Sequence, residues 1–112
     1  MDCEKYEIRY SFEVFEMIDE IYKHIEKFTL STQSAQKVVS EIILGMDKLE
    51  VFPERGFNVD DRVGKQLKPP YKTRGLVVGQ YITFYQILEE NVVFISHLIS
   101  AKSDWIKYFG KH

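Results

Sequence analysis

The chain has 112 residues, of which 45% are hydrophobic and 14% aromatic, and its formal net charge at pH 7 is -2. This size suits one compact domain with a modest core, so we expect residues 1–112 to form a single domain. The apolar runs fall far short of the roughly 20 residues of a membrane-spanning helix and the acidic start is no signal peptide, which excludes a membrane protein and predicts a cytoplasmic one.

The charges are divided unevenly between the two halves of the chain. Residues 1–61 hold 7 Lys/Arg and 14 Asp/Glu, a balance of -7, whereas residues 62–112 hold 8 and 3, a balance of +5. Such asymmetry predicts that the second half faces a polyanion or an acidic partner. The alternative is two ordinary solvated faces that attract each other.

The first half predicts a strand followed by two helices. Apolar and polar residues alternate from Glu4 to Tyr10, as in a short strand. Ser11, with acidic residues behind it, predicts the N-cap of a helix that runs to about Phe28. After a break at 29–31, a second apolar stripe predicts a helix to about Val51, and so short a connection makes the two helices an antiparallel hairpin. The positions expected in the core are Val14, Ile18, Ile21, Val38, Ile42 and Leu49.

The second half predicts a sheet. Residues 54–61 are typical of a turn, and the period changes to two at Arg62. Four strands are expected, at about Arg62 to Leu67, Thr73 to Val78, Tyr81 to Leu88 and Val92 to Ile99. Ser103 or Asp104 predicts the cap of a last helix that ends near Phe109. The predicted fold is α+β in the order β-αα-ββββ-α, with the helical hairpin packed on one face of a small antiparallel sheet and the opposite, basic face partly open.

Several segments resemble the RelE/ParE toxin superfamily. Tyr71 to Ile87, Val92 to Ile99 and Asp104 to Phe109 are similar to its strand-turn-strand-strand-helix core. Leu49 to Gly56 is similar to the end of its helical hairpin, where a leucine is followed by Phe-Pro and then Gly. The resemblance covers nearly the whole chain. It implies the growth-inhibiting toxin of a type II toxin-antitoxin (plasmid stabilisation) system, neutralised by a cognate antitoxin protein.

The superfamily includes two activities, and this sequence departs from one of them. Ribonuclease-type members cleave messenger RNA in the ribosome by 2′-hydroxyl attack, which requires a base, an acid and cations. Tyr81-Ile82 stands where many of those members have Tyr-Arg, and Lys102-Ser103-Asp104 keeps one charge of the usual basic pair. Because these catalytic cations are missing, the sequence favours a ParE-like toxin that binds its target, DNA gyrase. Two alternatives stay open. One is a metal-independent, ribosome-dependent endoribonuclease with an atypical set of catalytic residues, and the other is an interaction module without toxicity.

Arg74, the arginine that the superfamily usually carries on this strand, is the first candidate for a phosphate or an antitoxin carboxylate, although a surface ion pair is the rival interpretation. Lysines nearby could line an electropositive groove or simply protect strand edges. His97 is the one conceivable imidazole base or acid of the sheet, or else a structural histidine. If the chain is a ribonuclease, the catalytic candidates are Arg74, Lys72, Lys102 and His97.

The candidates for contact with the target or the antitoxin add apolar anchors, which we expect to line the open face of the sheet. These candidates are Arg74, Lys65, Lys68, Lys72, Leu76, Val78, Ile82 and Phe84. Cys3 is the only cysteine, and neither metal-ligand spacing nor a phosphate-binding loop is present, so no metal or other cofactor is expected. The expected partners are an antitoxin and either gyrase or the ribosome with its messenger RNA, without a membrane. A homodimer stays open.

Overall fold

The computed structural model describes residues 5–110. The sequence interpretation that concerns Cys3 therefore lies outside the described residues. In chain order the elements are β1 (Glu7–Tyr10), α1 (Phe12–Thr29), α2 (Thr32–Asp47), a 3-10 turn (Lys48–Glu50), β2 (Phe57–Asn58), α3 (Val59–Val63), β3 (Thr73–Val78), β4 (Tyr81–Leu88), β5 (Val92–Ser100) and α4 (Trp105–Gly110). No helix within residues 5–110 is long and apolar enough to cross a membrane.

The helical hairpin is confirmed, and its two helices begin in the same way. Ser11 and Ser31 are the N-caps, with hydroxyl oxygens that accept hydrogen bonds from Val14 N at 3.3 Å and from Ser34 N at 3.1 Å. Each cap satisfies a backbone N–H that the first helical turn leaves without a partner. Between the helices Leu30 adopts a left-handed conformation with φ of 54°, which reverses the chain.

The five strands form one sheet in the order β1-β5-β4-β3-β2. Neighbouring strands from β2 to β5 are antiparallel, as predicted, but β1 pairs with β5 in parallel, from Glu7 opposite Val92 to Tyr10 opposite Ile95. The sheet is therefore mixed. The helical hairpin belongs to the connection that follows the edge strand β1. The α+β fold class is confirmed.

The prediction of a strand over Arg62 to Leu67 is wrong. The structure has the two-residue β2 earlier, at 57–58, and then α3, which Asn58 caps by accepting from Asp61 N at 3.1 Å. The buried carboxylate of Asp60 accepts from Leu67 N and from Thr73 N, both at 3.2 Å. The segment wraps around this carboxylate, so its backbone donors bond to Asp60 instead of to a neighbouring strand.

Apolar residues are buried on both faces of the sheet. The core between the helical hairpin and the sheet contains all six predicted positions, of which Ile18 and Val38 are half-buried. A second core lies on the opposite face beneath α3 and α4, which cover part of the face that was expected to be open. Its buried members are Val59, Ile82, Phe84, Trp105 and Phe109.

The expectation that four apolar anchors line one open face is wrong. Leu76 and Val78 pack on the hairpin side, whereas Ile82 and Phe84 are buried on the side of α4. The register explains the division, because Leu76 lies opposite Thr83 and residues that pair across strands share a face. Successive residues of one strand alternate between faces, so Ile82 and Phe84 point away from Leu76.

Candidate functional site

A β-bulge in β5 directs His97 to the face that carries α4. Phe84 of β4 pairs with His97, but the next residue, Tyr85, pairs with Ile95, so Ser96 is an extra residue in β5. A bulge of this kind changes the alternation of side chains beyond it. Ile95 and Leu98 therefore both reach the hairpin-side core, whereas the His97 ring contacts Phe109 of α4, with 5.4 Å between ring centroids.

Beside His97, three buried polar side chains are joined by hydrogen bonds. Gln86 Nε2 donates to Thr73 Oγ1 at 3.1 Å and to Ser96 Oγ at 3.3 Å. The Ser96 hydroxyl donates to the carbonyl oxygen of Phe84 at 3.2 Å. None of the three residues is more than 5% exposed. We call Thr73, Gln86 and Ser96 the polar floor.

Both ring nitrogens of His97 have a polar neighbour. Nδ1 lies 3.1 Å from Ser96 Oγ, and the donor of this hydrogen bond depends on the tautomer of the ring. Burial lowers the pKa of His97; the nearby Glu13 opposes this and Lys68 adds to it. Nε2 is 3.7 Å from the Glu13 carboxylate. The lowered pKa favours the neutral form of the imidazole near pH 7.

Above the polar floor is a cavity of about 360 Å³, which we call the His97 cavity. Lys65 and Lys68 supply its positive charge, and Tyr108 of α4 forms part of its wall. It is lined by Lys65, Gln66, Leu67, Lys68, Thr73, Phe84, Gln86, Ser96, His97, Tyr108 and Phe109. The cavity thus combines cations, buried hydrogen-bonding groups and aromatic rings.

Arg74 lies on the other face of the sheet. It pairs with Tyr85, a member of the hairpin-side core, and its Nη1 donates to Gly56 O at 3.0 Å and to Glu54 O at 3.3 Å. The guanidinium thereby holds the segment that follows the helical hairpin. Arg74 and His97, which would act together only in the ribonuclease alternative, are separated by the sheet.

The other two basic residues among the catalytic candidates do not line the His97 cavity. Lys72 is exposed just before β3, and Lys102 is exposed in the turn after β5. Of the four catalytic candidates, His97 is the one that lines the His97 cavity. The polar floor and Tyr108 were not predicted, although Gln86 and Ser96 interrupt otherwise apolar strands, and such interruptions are a signal for buried polar groups.

A second depression, which we call the edge groove, lies between α2 and β3. Within the described part of the chain, β2 pairs with Arg74 and Gly75 of β3 and no strand continues this pairing along Leu76 to Val78. The groove encloses about 370 Å³, with Leu44 among its apolar residues and Lys48 and Arg55 as its basic ones. Val77 is 55% exposed and Leu44 60%. The edge groove therefore presents both unpaired strand backbone and apolar side chains.

Comparison with known families matches residues 8–105 to the model of the ParE toxin of the type II toxin-antitoxin system parDE. Among solved structures, a chain titled as a chromosomal ParDE TA system from P. aeruginosa is similar, with a TM-score of 0.65 and 13% sequence identity. The similarity covers 87% of this chain and 97% of that one, and at this identity it shows a shared fold. No curated protein matches the chain.

Proposed function

The chain belongs to the ParE toxin family of type II toxin-antitoxin systems, and from that premise we propose that it inhibits growth by binding DNA gyrase rather than by cutting RNA. The observation that supports binding is the position of Arg74, whose guanidinium is engaged by Glu54 O and Gly56 O on the face opposite His97. Inhibition by binding requires no catalytic set.

Cleavage would make a stricter demand on the site. A base, an acid and a cation must surround one phosphate within hydrogen-bonding reach. His97 and Arg74 cannot both reach one phosphate across a packed sheet. The ribosome-dependent ribonuclease remains the alternative, since the His97 cavity holds an imidazole and two lysines.

We propose further that the antitoxin binds in the edge groove. An extended segment of the antitoxin would pair with the free edge of β3 from Leu76 to Val78 and place an apolar side chain against Leu44. Lys48 and Arg55 at the rim favour acidic residues in that segment. Leu76 and Val78 keep their proposed role in this arrangement, whereas Ile82 and Phe84 are buried elsewhere.

A supercoiling assay tests the gyrase proposal. Purified chain is added to gyrase and relaxed plasmid, and in parallel to a cell-free translation reaction. We expect supercoiling to fail while translation continues. Inhibited translation with normal supercoiling would replace the proposal by the ribonuclease alternative, and no effect on either would favour a module without toxicity.

The antitoxin proposal is tested by capture of the product of a small neighbouring gene. We expect Leu44→Asp to weaken this complex at least about tenfold, because a carboxylate would be buried against the apolar side chain of the added strand. Ile106→Asp is the matched control, since Ile106 is similarly exposed but lies on α4. Equal binding by both variants would exclude the edge groove as the docking site.

A further inference from the structure

We propose that the His97 cavity binds a small nucleotide, with the phosphate between Lys65 and Lys68, the ring against Tyr108 and its polar edge on the polar floor. This inference goes beyond gyrase binding and does not depend on it. It assigns a ligand to a cavity on the face of the sheet opposite Arg74.

The first argument is that the cavity is built from groups that packing does not require. Both faces of the sheet bury an apolar core, whereas this position buries three polar side chains, which costs free energy unless each is hydrogen-bonded. The bulge at Ser96 supplies part of that bonding and directs His97 into the cavity. The polar floor is thus held rigid, as a preformed recognition site requires.

The second argument is charge. Lys65 is half-buried and Lys68 is exposed, and both line the cavity. Glu13, on the other side of His97, is 73% exposed at its side chain and does not line the cavity. Two lysine ammonium groups at the entrance of a concave site select an anion, and phosphate is the anion that lysines commonly bind.

The third argument is size and wall chemistry. Small-molecule sites have volumes of about 300 to 1,000 Å³, so a cavity of about 360 Å³ admits one small molecule. Phe84, Tyr108 and Phe109 make up its aromatic wall, with the last two rings 5.1 Å apart. Aromatic walls favour a planar ring, and the amide and hydroxyl groups of the polar floor favour a ring with hydrogen-bonding edges. A nucleoside monophosphate combines both features with the required charge.

Nuclear magnetic resonance on the unmodified chain tests the proposal. Each of the four common 5′-nucleoside monophosphates is titrated in turn, with inorganic phosphate and the matching nucleosides as separate arms. We expect saturable shifts of the His97 ring signals with at least one nucleotide, and weaker binding of phosphate or nucleoside alone. The ring of His24, exposed on α1, serves as the internal reference.

A pair of charge variants makes the test specific. Lys65→Ala with Lys68→Ala should weaken nucleotide binding about tenfold or more, the loss expected for charge-assisted contacts. Lys23→Ala with Lys27→Ala removes the same charge from α1 and should change the affinity little. Unmoved His97 signals at millimolar nucleotide would overturn the proposal, as would equal weakening by both pairs. Binding of an RNA oligonucleotide without binding of any mononucleotide would also overturn it.

Discussion

Tyr85 joins the sheet to the segment that follows the helical hairpin. Its buried hydroxyl donates to Pro53 O at 2.6 Å and accepts from Gly56 N at 3.0 Å. Burial raises the pKa of this phenol, which keeps it protonated as a donor. A Cβ at Gly56 would lie 2.6 Å from the Tyr85 hydroxyl oxygen, so the close approach requires glycine. Tyr85 and Arg74 thus fix the same few backbone groups from the sheet side.

We predict that Tyr85→Phe lowers the free energy of unfolding by about 1 to 3 kcal/mol, because a buried donor and a buried acceptor lose their partner. Urea denaturation measures the loss. Tyr22→Phe on α1 is the control, because Tyr22 is half-exposed, and it should stay within about 0.5 kcal/mol of the parent. Equal stability of the two variants would show that the hydroxyl of Tyr85 contributes nothing net.

His97 should make stability depend on pH. Its pKa in the folded chain is lowered by burial, and on unfolding it returns to its ordinary value, so the unfolded chain binds more protons between the two values. Stability should therefore fall as the pH is lowered from about 7.5 to about 5.5. His97→Gln should flatten this dependence. If the stability of His97→Gln fell with pH as steeply as that of the parent, the pH dependence would not come from His97.

At the scale of elements, Ser11 connects the start of α1 to the bulge of β5. Its hydroxyl caps α1 at Val14 N and also donates to Ser96 O at 2.8 Å, while its own N–H donates to Ile95 O at 2.9 Å. A bulge interrupts the ladder of strand hydrogen bonds. Here the carbonyl oxygen of Ser96 accepts instead from Ser11, the N-cap of a helix on the other face of the sheet. The position of α1 and the direction of His97 are thus coupled.

Two N-cap serines allow this coupling to be measured. Ser31→Ala removes a cap alone and should cost about 1 kcal/mol. Ser11→Ala removes a cap and the partner of Ser96 O, so we expect it to cost roughly 1 kcal/mol more. Equal losses in thermal or urea denaturation would mean that the bond to the bulge adds no stability. A shift of the His97 ring signals in Ser11→Ala alone would support the coupling directly.

The elements that the sequence predicted well depend on local chemistry. The hairpin helices have serine caps and a regular apolar stripe, and β3 to β5 have turns at 79–80 and 89–91. The strand expected over Arg62 to Leu67 failed because the buried Asp60 carboxylate accepts hydrogen bonds from Leu67 N and Thr73 N, 7 and 13 residues further along the chain. The alternation of apolar and polar residues along the chain does not indicate such a contact.

The candidate site was predicted in part, for a related reason. His97 and the neighbouring Lys65 and Lys68 could be chosen by residue type. The faces could not be assigned, because β5 begins with a continuous apolar run that hides the phase of its alternation and contains a bulge beyond it. The ribonuclease alternative grouped Arg74 with His97, whereas the sheet separates them.

For the whole molecule, the notable arrangement is one sheet with a core on each face. Leu49 is fully buried on the hairpin side, and Trp105, the one tryptophan of the chain, is buried on the α4 side. Because β4 contributes residues to both cores, neither core can lose its packing without disturbing the other. We therefore expect the two cores to unfold together.

Leu49→Ala tests this cooperativity and should cost about 2 to 5 kcal/mol. The fluorescence of Trp105 and the helical circular dichroism signal should give the same reduced midpoint, although Leu49 and Trp105 lie on opposite faces. Leu44→Ala is the control, because Leu44 is exposed, and it should change the midpoint little. A tryptophan transition that stays at the parent midpoint would show that the α4 side is a separate folding unit.

The parallel pairing of β1 with β5 has a consequence for synthesis. Glu7 pairs with Val92, which is 85 residues later, and at about 5 to 20 residues per second the ribosome needs about 4 to 17 s to make that interval. During this time β1 has no β5 to pair with, and the helical hairpin has only part of the sheet to cover. The His97 cavity needs β5 and α4, so it forms among the last features. A partly translated chain therefore lacks this cavity, and translation itself delays its appearance.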